Sequence, residues 1–195
     1  MASVDYLIKQ FLTPDKKRLD LSNQVLGDKG AVTLAKSKLL KRLTHLTLAN
    51  NNISDEGAIA IANSDHFKRL IELDFYGNVI SDDGVKALAE SPILANLKKL
   101  NLYGNLVEDD GAVAIAESKT LSKLRYLFLT CNRVRKLGIE ALKEAKCGKR
   151  LCHLHIDDLK DFIYQDDYEE DEDQISSWEE LEARARESGR DDDED

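Results

Sequence analysis

Leucines recur along this chain at three offsets, and the set of offsets repeats every 27 residues. The first of each set is Leu43, Leu70, Leu97, Leu124 and Leu151. Three residues on stand Leu46, Leu73, Leu100, Leu127 and Leu154, and two further on Leu48, Phe75, Leu102, Leu129 and Ile156. Apolar and polar residues alternate through "LTL", "LDF", "LNL" and "LFL", which predicts short strands with one face buried. Asn51, Asn78, Asn105 and Asn132 follow at the same step, then Ile53, Ile80, Val107 and Val134. An earlier copy has Leu19, Leu21 and Leu26, with Gln24 in the asparagine slot. An amide at that slot suits a buried turn, because it donates and accepts at once. The stretches "SDEGAIAIA" and "SDDGVKALA" then predict helices, with Ser54 and Ser81 as N-caps and acids in the first turn. Ala58, Ile61 and Ala62, like Val85, Leu88 and Ala89, form apolar stripes at helical spacing.

One such unit cannot bury its own core, so copies must stack. The pattern LxxLxLxxNxL, held in register over complete copies, resembles the leucine-rich-repeat family. The length of each copy and its second half resemble the ribonuclease-inhibitor-like subclass. The resemblance covers residues 17–159. It implies an α/β leucine-rich-repeat solenoid of about six repeats of 27 residues, with short parallel strands on a concave face and helices on a convex face. Residues 1–16 are expected to form an N-terminal helical cap through Val4, Leu7, Ile8, Phe11 and Leu12. Leu159, Phe162 and Ile163 are expected to close the other end. Residues 160–195 read as an acidic tail, largely disordered, with a short helix near 177–187 that Ser177 and Glu180 would cap.

Charge sharpens this division. The 195 residues carry a net −9, but residues 157–195 hold 19 acids against 4 bases, a balance of −15. The remaining body holds 18 acids against 24 bases, a balance of +6. The cysteines Cys131, Cys147 and Cys152 are odd in number and read as reduced thiols of an intracellular protein. The start lacks a basic leader, and no apolar run approaches the ~18 residues of a membrane span. The expected location is cytoplasmic, with the nucleus as the alternative.

Signatures of catalysis are missing from the sequence: there is no Walker loop, GxSxG or HExxH. No enzyme activity, cofactor or metal is expected. Cys147, Cys152, His153 and His155 come nearest to a metal set, but their spacing fits no zinc pattern and both histidines should face solvent from one strand. The outward positions of the strands are more informative. They form columns that bring Tyr76, Tyr103, Tyr126 and Phe128 together, as in an interface hot spot, with Glu72, Asp74 and Lys99 setting specificity at the edge. Arg42, Arg69, Lys123 and Arg150 share a repeat phase and line a basic rim. Asp28, Asp55, Asp82 and Asp109 line the opposite edge. The expected function is a non-enzymatic protein–protein interaction module that binds a partner on the concave sheet, with a tail that recruits basic partners. The alternative is a GTPase-activator-like or other regulatory protein of the ribonuclease-inhibitor-like class. Direct binding to nucleic acid or membrane is not expected.

Overall fold

The computed structural model of the chain describes residues 3–147 and 151–156. Helix α1 (Val4–Phe11) leads into strand β1 (Arg18–Asp20), and helix and strand then alternate. The order runs α2 (Gly27–Ala35), β2 (His45–Thr47), α3 (Asp55–Ala62), β3 (Glu72–Asp74), α4 (Asp82–Glu90) and β4 (Lys99–Asn101). It ends with α5 (Asp109–Glu117), β5 (Tyr126–Phe128), α6 (Lys136–Cys147) and β6 (His153–His155). The six strands form one parallel sheet in chain order. Each strand pairs with the next 27 residues on, so that Leu19, Leu46, Leu73, Leu100, Leu127 and Leu154 sit side by side. This is the predicted leucine-rich-repeat solenoid.

The repeated leucines are the core. Leu43, Leu70, Leu97, Leu100 and Leu127 have no exposed surface, and the helix stripes Ala58, Ile61, Ala62 and Val85, Leu88, Ala89 pack against them. Each asparagine of the slot bonds across two repeats. Asn78 donates Nδ2 to the carbonyls of Leu48 and Phe75 (both 2.9 Å), and its Oδ1 accepts the N–H groups of Asn51 and Ile53 (3.2 and 2.9 Å). Gln24 does part of the same work, donating Nε2 to the carbonyl of Ser22 at 3.1 Å.

Two further stitches tie neighbours together, and neither is the one the sequence suggested. Ser54 and Ser81 occupy N-cap positions but do not cap through their hydroxyls. The cap is an aspartate of the preceding repeat. Asp28 accepts the N–H of Ser54 (2.8 Å) and of Gly57 (3.0 Å) on Oδ1, and the Ser54 hydroxyl on Oδ2 (2.7 Å). Asp55 does the same for Ser81 and Gly84, and Asp109 takes the N–H groups of Arg135 and Gly138. The row of acids expected along one edge is thus a set of half-buried caps. At the other helix end, buried Ser64, Ser91 and Ser118 donate their hydroxyls to the carbonyls of Ala35, Ala62 and Ala89, one repeat back.

At the N-terminus, Ser3 caps α1 by accepting the N–H of Tyr6 at 3.2 Å. Leu7 and Ile8 are buried, whereas Phe11 is exposed and Leu12 lies beyond the helix, bridging antiparallel to Leu19. The expected closure by Leu159, Phe162 and Ile163, and the tail with its helix near 177–187, lie outside the described residues. No helix among the described residues is long and apolar enough to cross a membrane.

Candidate functional site

The helices cover one side of the sheet, and the outward side chains of the strands make up the other. Pairing places Arg18, His45, Glu72, Lys99, Tyr126 and His153 in one column, and Asp20, Thr47, Asp74, Asn101, Phe128 and His155 in the next. Tyr76 and Tyr103 follow two residues beyond Asp74 and Asn101.

The rings meet in pairs across adjacent repeats. Tyr76 stacks on Tyr103 with centroids 5.0 Å apart, Tyr126 on His153 at 4.5 Å, and Phe128 on His155 at 4.6 Å. The interplanar angles are 16°, 3° and 12°, so each ring spends one face on its neighbour. His153 and His155 lie on the outward side of β6, as expected, and each is half-buried against its aromatic neighbour. Lys99 places Nζ 5.4 Å from the centroid of Tyr126, within cation–π range. The Sγ–H of Cys131 donates to the hydroxyl of Tyr103 at 3.0 Å.

Glu72, Asp74 and Lys99 are not an exposed edge. Asp74 is 7% exposed and Lys99 6%, and both lie in the middle of the sheet. Burial raises the Asp74 carboxyl to about 6, assisted by the nearby charge of Asp20 and opposed by the Tyr76 N–H, Asn101 and Lys99. Burial lowers Lys99 to about 8 against the pull of Glu72 and Asp74. Burial would also raise Glu72, but its hydrogen bond from His45 and the charges of Lys99, His45 and Arg18 outweigh that and hold it below the usual range. His45 Nε2 lies 3.5 Å from Glu72 Oε1. The open face is therefore divided, with a polar network of His45, Glu72, Asp74 and Lys99 on β2–β4, and stacked rings on β5–β6 and just beyond β3 and β4.

Arg42, Arg69 and Lys123 are exposed on the links that lead into β2, β3 and β5, and Arg150 lies outside the described residues. Among the described residues no group of three or more His, Cys, Asp or Glu is placed to hold a metal. The Cys147 side chain is outside that description.

The sequence reading missed the burial of Asp74 and Lys99, and the pairing of the histidines with the rings. The signal for the second was present. His153 and His155 follow Tyr126 and Phe128 by one 27-residue period, and parallel in-register strands put such residues side by side.

Three stretches, residues 42–62, 70–89 and 94–116, match the family model described as Leucine Rich repeat. The chain thus carries leucine-rich repeats, in a leucine-rich-repeat solenoid. Among solved structures it is similar to leiomodin-1 actin-binding site 2, at 16% identity over 95% of this chain and 94% of that one, with a TM-score of 0.41. It is also similar to an internalin (inlF) from Listeria monocytogenes, at 20% identity over 69% of this chain, with a TM-score of 0.39. It spans 38% of that internalin's chain. No curated protein sequence matches the chain.

Proposed function

We propose that this protein is a non-enzymatic interaction module that docks a protein partner on the concave, open face of its sheet. The observation that carries this reading is the strip of stacked rings on a face opposite the helices. Tyr76, Tyr103, Tyr126 and Phe128 project from neighbouring repeats, and Tyr126 is 36% exposed. Rings already immobilised by stacking lose little further freedom on binding, which favours them as contact residues. Glu72, Asp74 and Lys99 lie beside the rings on the same face and, being largely buried, act in this reading by holding its shape rather than as the outer rim of the contact.

The 27-residue period, with a helix in each full repeat, supports placing the repeats in the ribonuclease-inhibitor-like subclass. The −15 balance of residues 157–195 supports a second role for the tail, recruiting basic partners by charge complementarity.

The test uses the full chain as bait in native lysate beside Tyr103→Ala/Phe128→Ala. Partners bound through the open face should bind the double variant at least about tenfold more weakly, a loss of ~1.4 kcal/mol. Circular dichroism should show the fold unchanged. A partner held equally by both proteins places the contact elsewhere. Basic partners held by the tail should be lost instead when Asp166, Asp167, Glu169, Glu170, Asp171, Glu172 and Asp173 are changed to their amides.

A further inference from the structure

The links that lead into the strands carry a charge that the helices do not explain. All strands run in one direction, so these links share one edge of the sheet. Residues 36–44, 63–71, 91–98 and 118–125 contain ten Lys or Arg and one acid, Asp65. The ordinary reason for cations beyond a helix is the macrodipole, whose pull fades within the last turn. Here the last turns of α2, α3, α4 and α5 contain no basic residue. Helices α4 and α5 even end in Glu90 and Glu117. The carbonyls of Ala35, Ala62 and Ala89 are already satisfied by the hydroxyls of Ser64, Ser91 and Ser118.

Some of these cations are spent locally, Arg125 among them, which donates Nη1 to the carbonyls of Ser122 and Leu124. Lys68 pairs with Asp65 at 2.9 Å, and Lys123 donates to Asn96 Oδ1 at 2.7 Å. Among the described residues, the side chains of Arg42, Arg69 and Lys98 are exposed and form no ion pair or hydrogen bond. The backbone fixes their spacing. Ile71 donates to Thr44, Lys98 to Ile71 and Arg125 to Lys98, each at 2.8 Å, so successive links step along the edge with the strands. Asn96 holds the row further, donating Nδ2 to the carbonyl of Lys68 at 3.0 Å. From β2 to β5 the row spans three strand spacings of ~4.8 Å, the reach of about four extended residues. Apolar surface lies beside it: Leu39 is 42% exposed and Ile93 is half-buried.

We propose that this edge is a second docking surface, distinct from the open face, and that it takes an extended acidic polypeptide segment of another protein. Its carboxylates would meet Arg42, Arg69, Lys98 and Lys123, and an apolar residue beside them would rest on Leu39. A single-stranded nucleic acid fits less well, because its bases favour exposed rings to stack on. Phe67, the one Phe, Tyr or Trp in these links, is fully buried.

The probe is a fluorescently labelled peptide of about a dozen residues, mostly Asp and Glu with a pair of leucines, whose binding to the full chain is read by anisotropy. It should bind at low salt and release as the screening length falls below ~10 Å. Arg42→Glu/Arg69→Glu/Lys123→Glu should weaken binding by about tenfold or more, and the glutamine version of the same triple by less, because only the glutamates add repulsion. A control with equal charge change elsewhere, Lys9→Glu/Lys29→Glu/Lys136→Glu, should weaken binding clearly less than the rim triple, since it alters only the long-range field and removes no direct contact. The folding of each variant is checked by its melting curve, and these side chains are exposed. No binding by the wild-type chain at low salt overturns the proposal. So does equal loss in both glutamate triples, which would reduce the effect to net charge. Preferential binding of a single-stranded oligonucleotide of equal charge would also overturn it, in favour of a nucleic-acid edge.

Discussion

Asn105 meets backbone groups of two repeats at once. Its Oδ1 accepts the N–H of Ile80 at 3.0 Å, and its Nδ2 donates to the carbonyls of Phe75 and Leu102 at 2.9 and 3.1 Å. Asn105→Ala takes the acceptor from the buried Ile80 N–H, while the carbonyls of Phe75 and Leu102 keep Asn78 and Asn132 as donors, and should cost about 1–3 kcal/mol. Leu100→Ala opens a cavity at a position with no exposed surface and should cost about 2–5 kcal/mol. Denaturant unfolding checks both, and wild-type midpoints would mean that the residues are not where the pairing puts them. Asp74 behaves differently. In each of three repeats the side chain at its column accepts the N–H two residues on: Asp20 from Ser22, Asp74 from Tyr76, and Asn101 from Tyr103. A neutral amide suffices for that bond in the Asn101 repeat. The Asp74 carboxyl is raised to about 6 in the folded protein from 3.8, so folding favours its protonated form. Its stabilising contribution is complete below pH 3.8 and lost as pH rises through 6. Asp74→Asn should therefore stabilise the protein at pH 7–8 by about 1–2 kcal/mol, part of the gain being offset because Lys99 loses a carboxylate neighbour. The gain should shrink toward pH 4. Melting curves across that range test this, and a variant less stable than wild type at pH 8 would show the carboxylate to be favourable.

At the scale of the element, each helix is started by its predecessor. Asp55 accepts the N–H of Ser81 at 2.7 Å and of Gly84 at 3.0 Å, so Asp55→Ala takes the acceptor from two donors at the start of α4. The expected cost is about 1–2 kcal/mol. Ser81→Ala removes only a hydroxyl that itself donates to Asp55, and should cost less. Equal costs would restore the serine as the cap. Gly84 belongs to the same device: a Cβ there would lie 2.6 Å from Asp55 Oδ1 and 2.7 Å from Ile80 Cγ2, so Gly84→Ala should also destabilise. The strands and helices were legible in the sequence because burial imposes periods of 2 and 3.6 on local stretches. The caps were not, because the partners lie 26 to 29 residues apart and local pattern favours the adjacent serine. The open face shows the same limit. Alternation places Asp74 and Lys99 outward, but their burial depends on which side chains neighbouring repeats supply. For Lys99 these include Tyr126, whose ring its ammonium overlies.

At the scale of the whole molecule, the strand pairing and the side-chain stitches join each repeat to its neighbour. Among the described residues strand pairs only with next strand, and the Asn, Asp and Ser stitches each span one repeat step. Stability in such an array is a sum of units and nearest-neighbour interfaces, so it should differ from the ends to the middle. The N-terminal end is the place to see this. There Leu7 and Ile8 of α1 are buried, Thr13 donates to the carbonyl of Arg18 at 3.0 Å, and Leu12 bridges Leu19. Ile8→Ala should cost that end about 2–4 kcal/mol. Amide exchange would then speed up first at Leu21, whose N–H bonds the carbonyl of Thr47. At Phe75, whose N–H bonds the carbonyl of Asn101, exchange should change far less, because two intact interfaces separate it from the frayed end. Equal acceleration at both amides would mean that the repeats open as a single cooperative body.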